Sequence, residues 1–236
     1  MQEEIVTRIR QDLAANADET VRESSRRFFK EEVRSWGLKA AAVRAIAQQY
    51  FREIKNRDKE EIFAICEELL EAGSFEEAAI AYDWADRINR RFEPDDFAVL
   101  ERWLATYVSN WAACDTLCNH AIGSFLERYP AFLSRLKDWA RSENRWVRRG
   151  AAVSLVLPAR KGLFLDDIFE VADLLLQDPE DLVQKGYGWM LKEAGKSHPD
   201  AVFAYVMRRK HEMPRTALRY AIEKMPAERK RLAMEK

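Results

Sequence analysis

The chain has 236 residues, of which 47% are hydrophobic, so it is long enough to bury a core without disulfide or metal staples. Only eight glycines and seven prolines stand among abundant Ala, Leu, Glu, Lys and Arg, a composition that excludes a large sheet and favours helices. The net charge of −1 argues against a strongly basic nucleic-acid binder, but residues 1–100 carry net −6 and residues 101–236 net +5, so the second half could hold a polyanion.

The opening MQEEIVTRIRQDL is acidic and amphipathic, unlike a basic and apolar signal peptide, and no run approaches the roughly 18 apolar residues of a membrane span. A cytoplasmic protein is expected, with Cys66, Cys114 and Cys118 as buried thiols, since three cysteines cannot close a disulfide framework. Ile62, Ile65, Cys66, Leu69 and Leu70 fall at the spacing that places one apolar stripe on a helix. The acidic tract before residue 100 reads as a solvated outer face.

From residue 94 onward the elements repeat. Pro94 opens PDDFAVLERW, Pro130 opens PAFLSRLKDW, Asp166 begins DDIFEVADLL and Pro199 opens PDAVFAYVMR, at separations of 36, 36 and 33 residues. Proline is tolerated in a first helical turn. Each of the first three openings is followed by a second helix with its own start signal: Asn110 before WAACDTL, Asn144 before RWVRRGAAVSL and Asp181 before LVQKGYGWML. Two helices per 33 to 37 residues are the pattern of an α-solenoid, and about thirteen helices of ordinary length are expected. The segment Asn144 to Ala152 also resembles the second helix of a HEAT repeat. With no long Gly/Ser linker, residues 1–236 read as a single HEAT-like repeat domain.

Chemistry-bearing residues sit on the second helices. Trp111 and Asp115 are four apart and share one helical face, offering a π surface and a negative charge to a cation or a developing carbocation. A Trp packed in a helix interface with an exposed Asp at its edge explains the same spacing. Arg145, Arg148 and Arg149 surround Trp146 and could grip phosphates, or form a salt-bridge ladder with neighbouring acids. Lys185 and Lys192 flank Trp189 on one face, and Gly186 and Gly188 beside it point to a close approach of a ligand or of another helix. Cys114, Cys118 and His120 lack a fourth ligand at usable spacing, so no metal site is expected. No phosphate-binding loop, dinucleotide fingerprint, zincin or nucleophile-elbow motif occurs.

The pieces SNWAACD, ENRWVRR and QKGYGWMLKE, in this order and at these separations, resemble the HEAT-like DNA alkylation repair family, the AlkD type of alkylpurine DNA glycosylase. The resemblance extends more weakly from about Phe28 and Gly37 through the last helices. It implies an all-α, right-handed α-solenoid of HEAT-like helix pairs, an α-α superhelix with a concave DNA-binding face. It further implies excision of N3- and N7-alkylated purines from duplex DNA, with Trp111, Asp115, Arg149 and Trp189 as catalytic residues. Arg145, Arg148, Lys185 and Lys192 are expected to contact the DNA. The expected partner is double-stranded DNA containing alkylated purines, bound by a monomer without cofactor, metal or membrane. The family often carries a tyrosine where this chain has Phe28. Two other functions compete: a non-catalytic HEAT-like binder of DNA shape or branched DNA, and a protein-interaction scaffold.

Overall fold

The computed structural model describes residues 2–235. Among them every regular element is helical. Two compact units divide the chain, Met1–Leu117 and Cys118–Lys236. No helix of the described residues is long and apolar enough to cross a membrane.

The first unit contains α1 (Gln2–Ala15), α2 (Glu19–Arg26), α3 (Ala40–Ile54), α4 (Lys59–Glu71), α5 (Phe75–Arg87), α6 (Asp96–Tyr107) and α7 (Trp111–Thr116). The stripe Ile62, Ile65, Cys66, Leu69 and Leu70 is buried, and α4 lies against α5, which also packs on α3 and α7. Trp84 and Trp103 are fully enclosed, Trp84 donating its indole N–H to the Ala47 carbonyl at 2.9 Å and Trp103 meeting the Phe63 ring edge-on at 5.4 Å. Each such side chain stabilises the fold by roughly 1.5–3 kcal/mol through removal of apolar surface from water.

The acidic tract is not simply a solvated face. Glu76, Glu77 and Asp96 are buried, with Asp96 paired to the buried Lys59 ammonium at 2.9 Å. Ser74 caps α5: its hydroxyl accepts the Glu77 amide at 3.2 Å and donates to the Glu77 carboxylate.

The second unit contains α8 (Gly123–Arg128), α9 (Leu133–Trp139), α10 (Arg145–Val153), α11 (Val156–Arg160), α12 (Leu165–Leu174), α13 (Asp181–Ser197), α14 (Pro199–Arg209), α15 (Arg215–Ile222) and α16 (Ala227–Met234). Helix α13 is its hub, packing on α10, α11, α12, α14 and α15. In the first unit α4 pairs with α5, on which α3 and α7 also pack; in the second α9 pairs with α10 and α12 with α13, and α10, α13 and α15 pack on one another in turn, the layered packing of an α-solenoid.

Among the described residues sixteen α-helices stand against the about thirteen expected, and two of the additions come from long stripes that are interrupted. Residues Leu117–Ile122 form a π-helical segment between α7 and α8. Pro158 has no N–H to donate to the Ser154 carbonyl; α10 ends at Val153, and the chain resumes as α11 with Pro158 in its first turn. Pro199 is the first residue of α14 as expected, whereas Pro130 opens a 3₁₀ turn ahead of α9. Asn110 and Asn144 are helix caps, but Asp181 is not: it is the first residue of α13, and the turn before it is closed by Asp178, which accepts the Glu180 amide at 2.9 Å.

Candidate nucleic-acid interface

In the first unit the site is set by the turn into α7. Asn110 adopts extended backbone and its side-chain oxygen accepts the Ala113 N–H at 2.9 Å, which starts the helix at Trp111. Four residues later Asp115 lies one turn along the same face, about 6 Å up the axis. Both side chains are half-buried. The Trp111 indole N–H donates to the Phe28 carbonyl at 3.2 Å, and its ring stands 5.8 Å from that of Phe29. Phe29 in turn meets Phe75 at 5.5 Å. A half-buried indole on the helix face that also carries a carboxylate is a pairing that suits a cationic or electron-poor group.

The contacts from Phe28 and Phe29 are absent from any local reading of the sequence. Phe28 is 72% exposed, so the residue that gives its carbonyl to Trp111 is otherwise largely in solvent.

In the second unit Asn144 accepts the Trp146 amide at 2.9 Å and starts α10. The three arginines that follow have different surroundings. Arg148 is bound into the protein: Nε donates to Asp178 at 2.6 Å, and Nη1 to the carbonyls of Ser142 and Glu143 at 2.8 and 2.9 Å. Arg149 is 5% exposed and donates to the Leu182 carbonyl. Arg145 is more open, stacked over Trp146 at 4.7 Å and 3.3 Å from Glu180. The salt-bridge ladder therefore accounts for Arg148 and leaves Arg145 as the more accessible cation of the three.

Trp189 is half-buried on α13. Lys185 pairs with Asp181 at 3.2 Å, and Lys192 with Glu223 at 3.0 Å, where the ammonium holds the Glu223 carboxyl below the ordinary carboxylate range. Gly188 marks a tight crossing of α13 over α15, and a Cβ at Gly186 would make only ordinary contact with Arg149 at 3.4 Å.

All three cysteines are buried, and burial pushes the Cys66 thiol well above its usual range. Among the described residues no group of three or more His, Cys, Asp or Glu could hold a metal ion.

The sequence model of the family described as "DNA alkylation repair enzyme" matches residues 9–225. This chain belongs to the DNA alkylation repair enzyme family. The match takes in α2 to α15 whole, and with them Trp111, Asp115, Arg149 and Trp189. Among solved structures, a predicted DNA alkylation repair enzyme from Enterococcus faecalis shares the fold of this family member at a TM-score of 0.76 and 20% identity, over 89% of this chain and 96% of that one. No curated protein matches the chain significantly.

Proposed function

We propose that this member of the DNA alkylation repair family is a monofunctional DNA glycosylase that hydrolyses the N-glycosidic bond of N3- and N7-alkylated purines in duplex DNA, the first step of base excision repair. The observation that carries the reading is the Trp111–Asp115 turn: an indole fixed at its N–H by the Phe28 carbonyl, with a carboxylate one turn away on the same half-buried face.

An N3- or N7-alkylated purine already carries positive charge and is a good leaving group, so no strong general acid has to protonate it. The remaining task is to stabilise the oxocarbenium-like sugar and to guide water to it. The Asp115 carboxylate does the first by its charge and the second by accepting a proton of the nucleophile. The Trp111 face lies against sugar C–H groups that become more positive as the bond breaks. In the second unit Trp189 packs against the DNA backbone and Arg149, 5% exposed, lends its charge to a flanking phosphate, with Arg145, Arg148, Lys185 and Lys192 contributing positive charge. The protein works as a monomer without a cofactor. With a net charge of −1, its affinity for DNA is modest and falls steeply with salt.

The test is incubation of the purified protein with duplex DNA containing 7-methylguanine and 3-methyladenine, followed by detection of free base. Release above the spontaneous rate is expected. Absence of release at micromolar protein, with an active glycosylase working in parallel, overturns the proposal and leaves a DNA-binding role.

A further inference from the structure

Residues 28–38, between α2 and α3, form no regular element. They are nonetheless tied at one end to Trp111 and at the other to the first turn of α5. Four donors converge on the Glu76 carboxylate: the Ser35 hydroxyl at 2.7 Å, the Trp36 amide at 3.0 Å, the Gly37 amide at 2.9 Å and the Leu38 amide at 3.1 Å. Glu76 is 1% exposed. A carboxylate taken so completely out of water is tolerated only when such donors replace its hydration.

The turn that aims these amides depends on Gly37, whose φ is +88° and where a Cβ would stand 2.3 Å from the Asp18 carbonyl oxygen. The neighbouring Phe75 amide donates to the Arg34 carbonyl at 2.9 Å, and the Trp36 indole reaches Glu77 at 3.5 Å.

Between these ends the Phe29 ring packs on Phe75 at 5.5 Å and the Arg34 guanidinium donates to the Ala72 carbonyl at 3.0 Å. A cavity of about 140 Å³ is lined by Glu32, Val33 and Arg34 on one side and by Ser109, Asn110 and Ala113 on the other. The path from Glu76 to Trp111 therefore runs through residues 35–38, whose turn at Gly37 stands against Asp18 and Arg22 at the start of α2, and through the end of α2, whose Ser25 and Arg26 carbonyls accept the Phe28 and Phe29 amides at 3.0 and 3.3 Å.

We infer that Glu76 is a positioning residue for Trp111: by fixing residues 35–38 it fixes the Phe28 carbonyl and the Phe29 ring, which hold the indole in place. The assignment of a catalytic consequence rests on the glycosylase reading; the mechanical link does not. In Glu76→Gln the Oε1 bonds can survive, while an NH₂ group faces the Trp36 amide, so this variant keeps part of the clamp. Glu76→Ala removes it.

The experiment follows the Trp111 indole N–H by NMR in the whole protein, the resonance being identified among the seven tryptophans by its loss in Trp111→Phe. Solvent exchange of this proton should rise by about tenfold or more in Glu76→Ala and by less in Glu76→Gln, as expected of a local opening, while the core truncation Ile62→Ala leaves it protected. Unchanged exchange in the Glu76 variants overturns the inference, as does an equal rise in Ile62→Ala. Should Glu76→Ala fail to fold, Glu76→Gln alone decides on the same criterion. Base release is measured on the same samples. If the unmodified protein releases none, the glycosylase reading fails while the exchange data still decide the clamp; if it does, Glu76→Gln should lower the single-turnover rate by about tenfold with little change in DNA affinity.

Discussion

Gly188 in α13 lies so close to Ala217 in α15 that a Cβ at residue 188 would stand 2.8 Å from the Ala217 carbonyl oxygen and 2.6 Å from the Tyr220 Cβ. Both clashing atoms belong to or adjoin the backbone, so neither can swing aside. Gly188→Ala should therefore force the two helices apart and cost about 1–3 kcal/mol, read as a lower urea midpoint. Gly186→Ala two residues earlier meets only ordinary contacts, of 3.4 Å and more. It should stabilise by about 0.4–1 kcal/mol, through helix propensity and a stiffer unfolded chain, and so raise the midpoint.

Asp115 is the residue on which the proposed chemistry depends. Asp115→Asn keeps the size of the side chain and removes the charge that stabilises the developing sugar cation. The rate of 7-methylguanine release should fall by about 10²–10³-fold, with binding to undamaged duplex nearly unchanged. Equal loss of binding and release would assign Asp115 to folding instead.

Arg148 and Arg145 should separate stability from DNA contact. The Arg148–Asp178 pair has side chains only 15% and 5% exposed, and removing one partner strands a buried charge. Arg148→Ala should cost about 3–5 kcal/mol in thermal or urea unfolding. Arg145, with 34% of its side chain exposed, should tolerate alanine within about 1 kcal/mol. On the proposed reading Arg145→Ala instead lowers the slope of log affinity against log salt by about 1, measured by fluorescence anisotropy with labelled duplex.

Glu193 links the second unit to pH. Burial raises its carboxyl pKa, but bonds from Lys196 and Arg160, both at 2.7 Å, outweigh burial and hold it below the ordinary range. A depressed folded value means the contribution is fully present above the unfolded carboxylate value of about 4.3 and is lost as pH falls below it through the folded value. The unfolding temperature should therefore drop on that acid limb. Glu193→Gln should unfold at lower temperature near neutrality and show a shallower acid limb, a comparison made by calorimetry across the pH series.

The elements themselves were legible because their causes are local. Asn110 and Asn144 cap the helices that follow them, and the i, i+4 spacing places Trp111 and Asp115 on one face whatever lies beyond. The 33- to 37-residue recurrence of these signals marked paired helices, and the three pieces around Trp111, Arg149 and Trp189 marked the family.

Tertiary structure decided which of these side chains are still available to a ligand. Arg148 finds Asp178 thirty residues away, Glu76 finds Ser35 forty-one residues away, and the Trp111 indole finds the Phe28 carbonyl across eighty-three. Spacing along a helix says which face a charge lies on, not which opposite charge or carbonyl another element brings to it. Composition supplied the helices and periodicity their faces; the burial of Arg149, the openness of Arg145 and the hold on Trp111 come only from which helices are brought together.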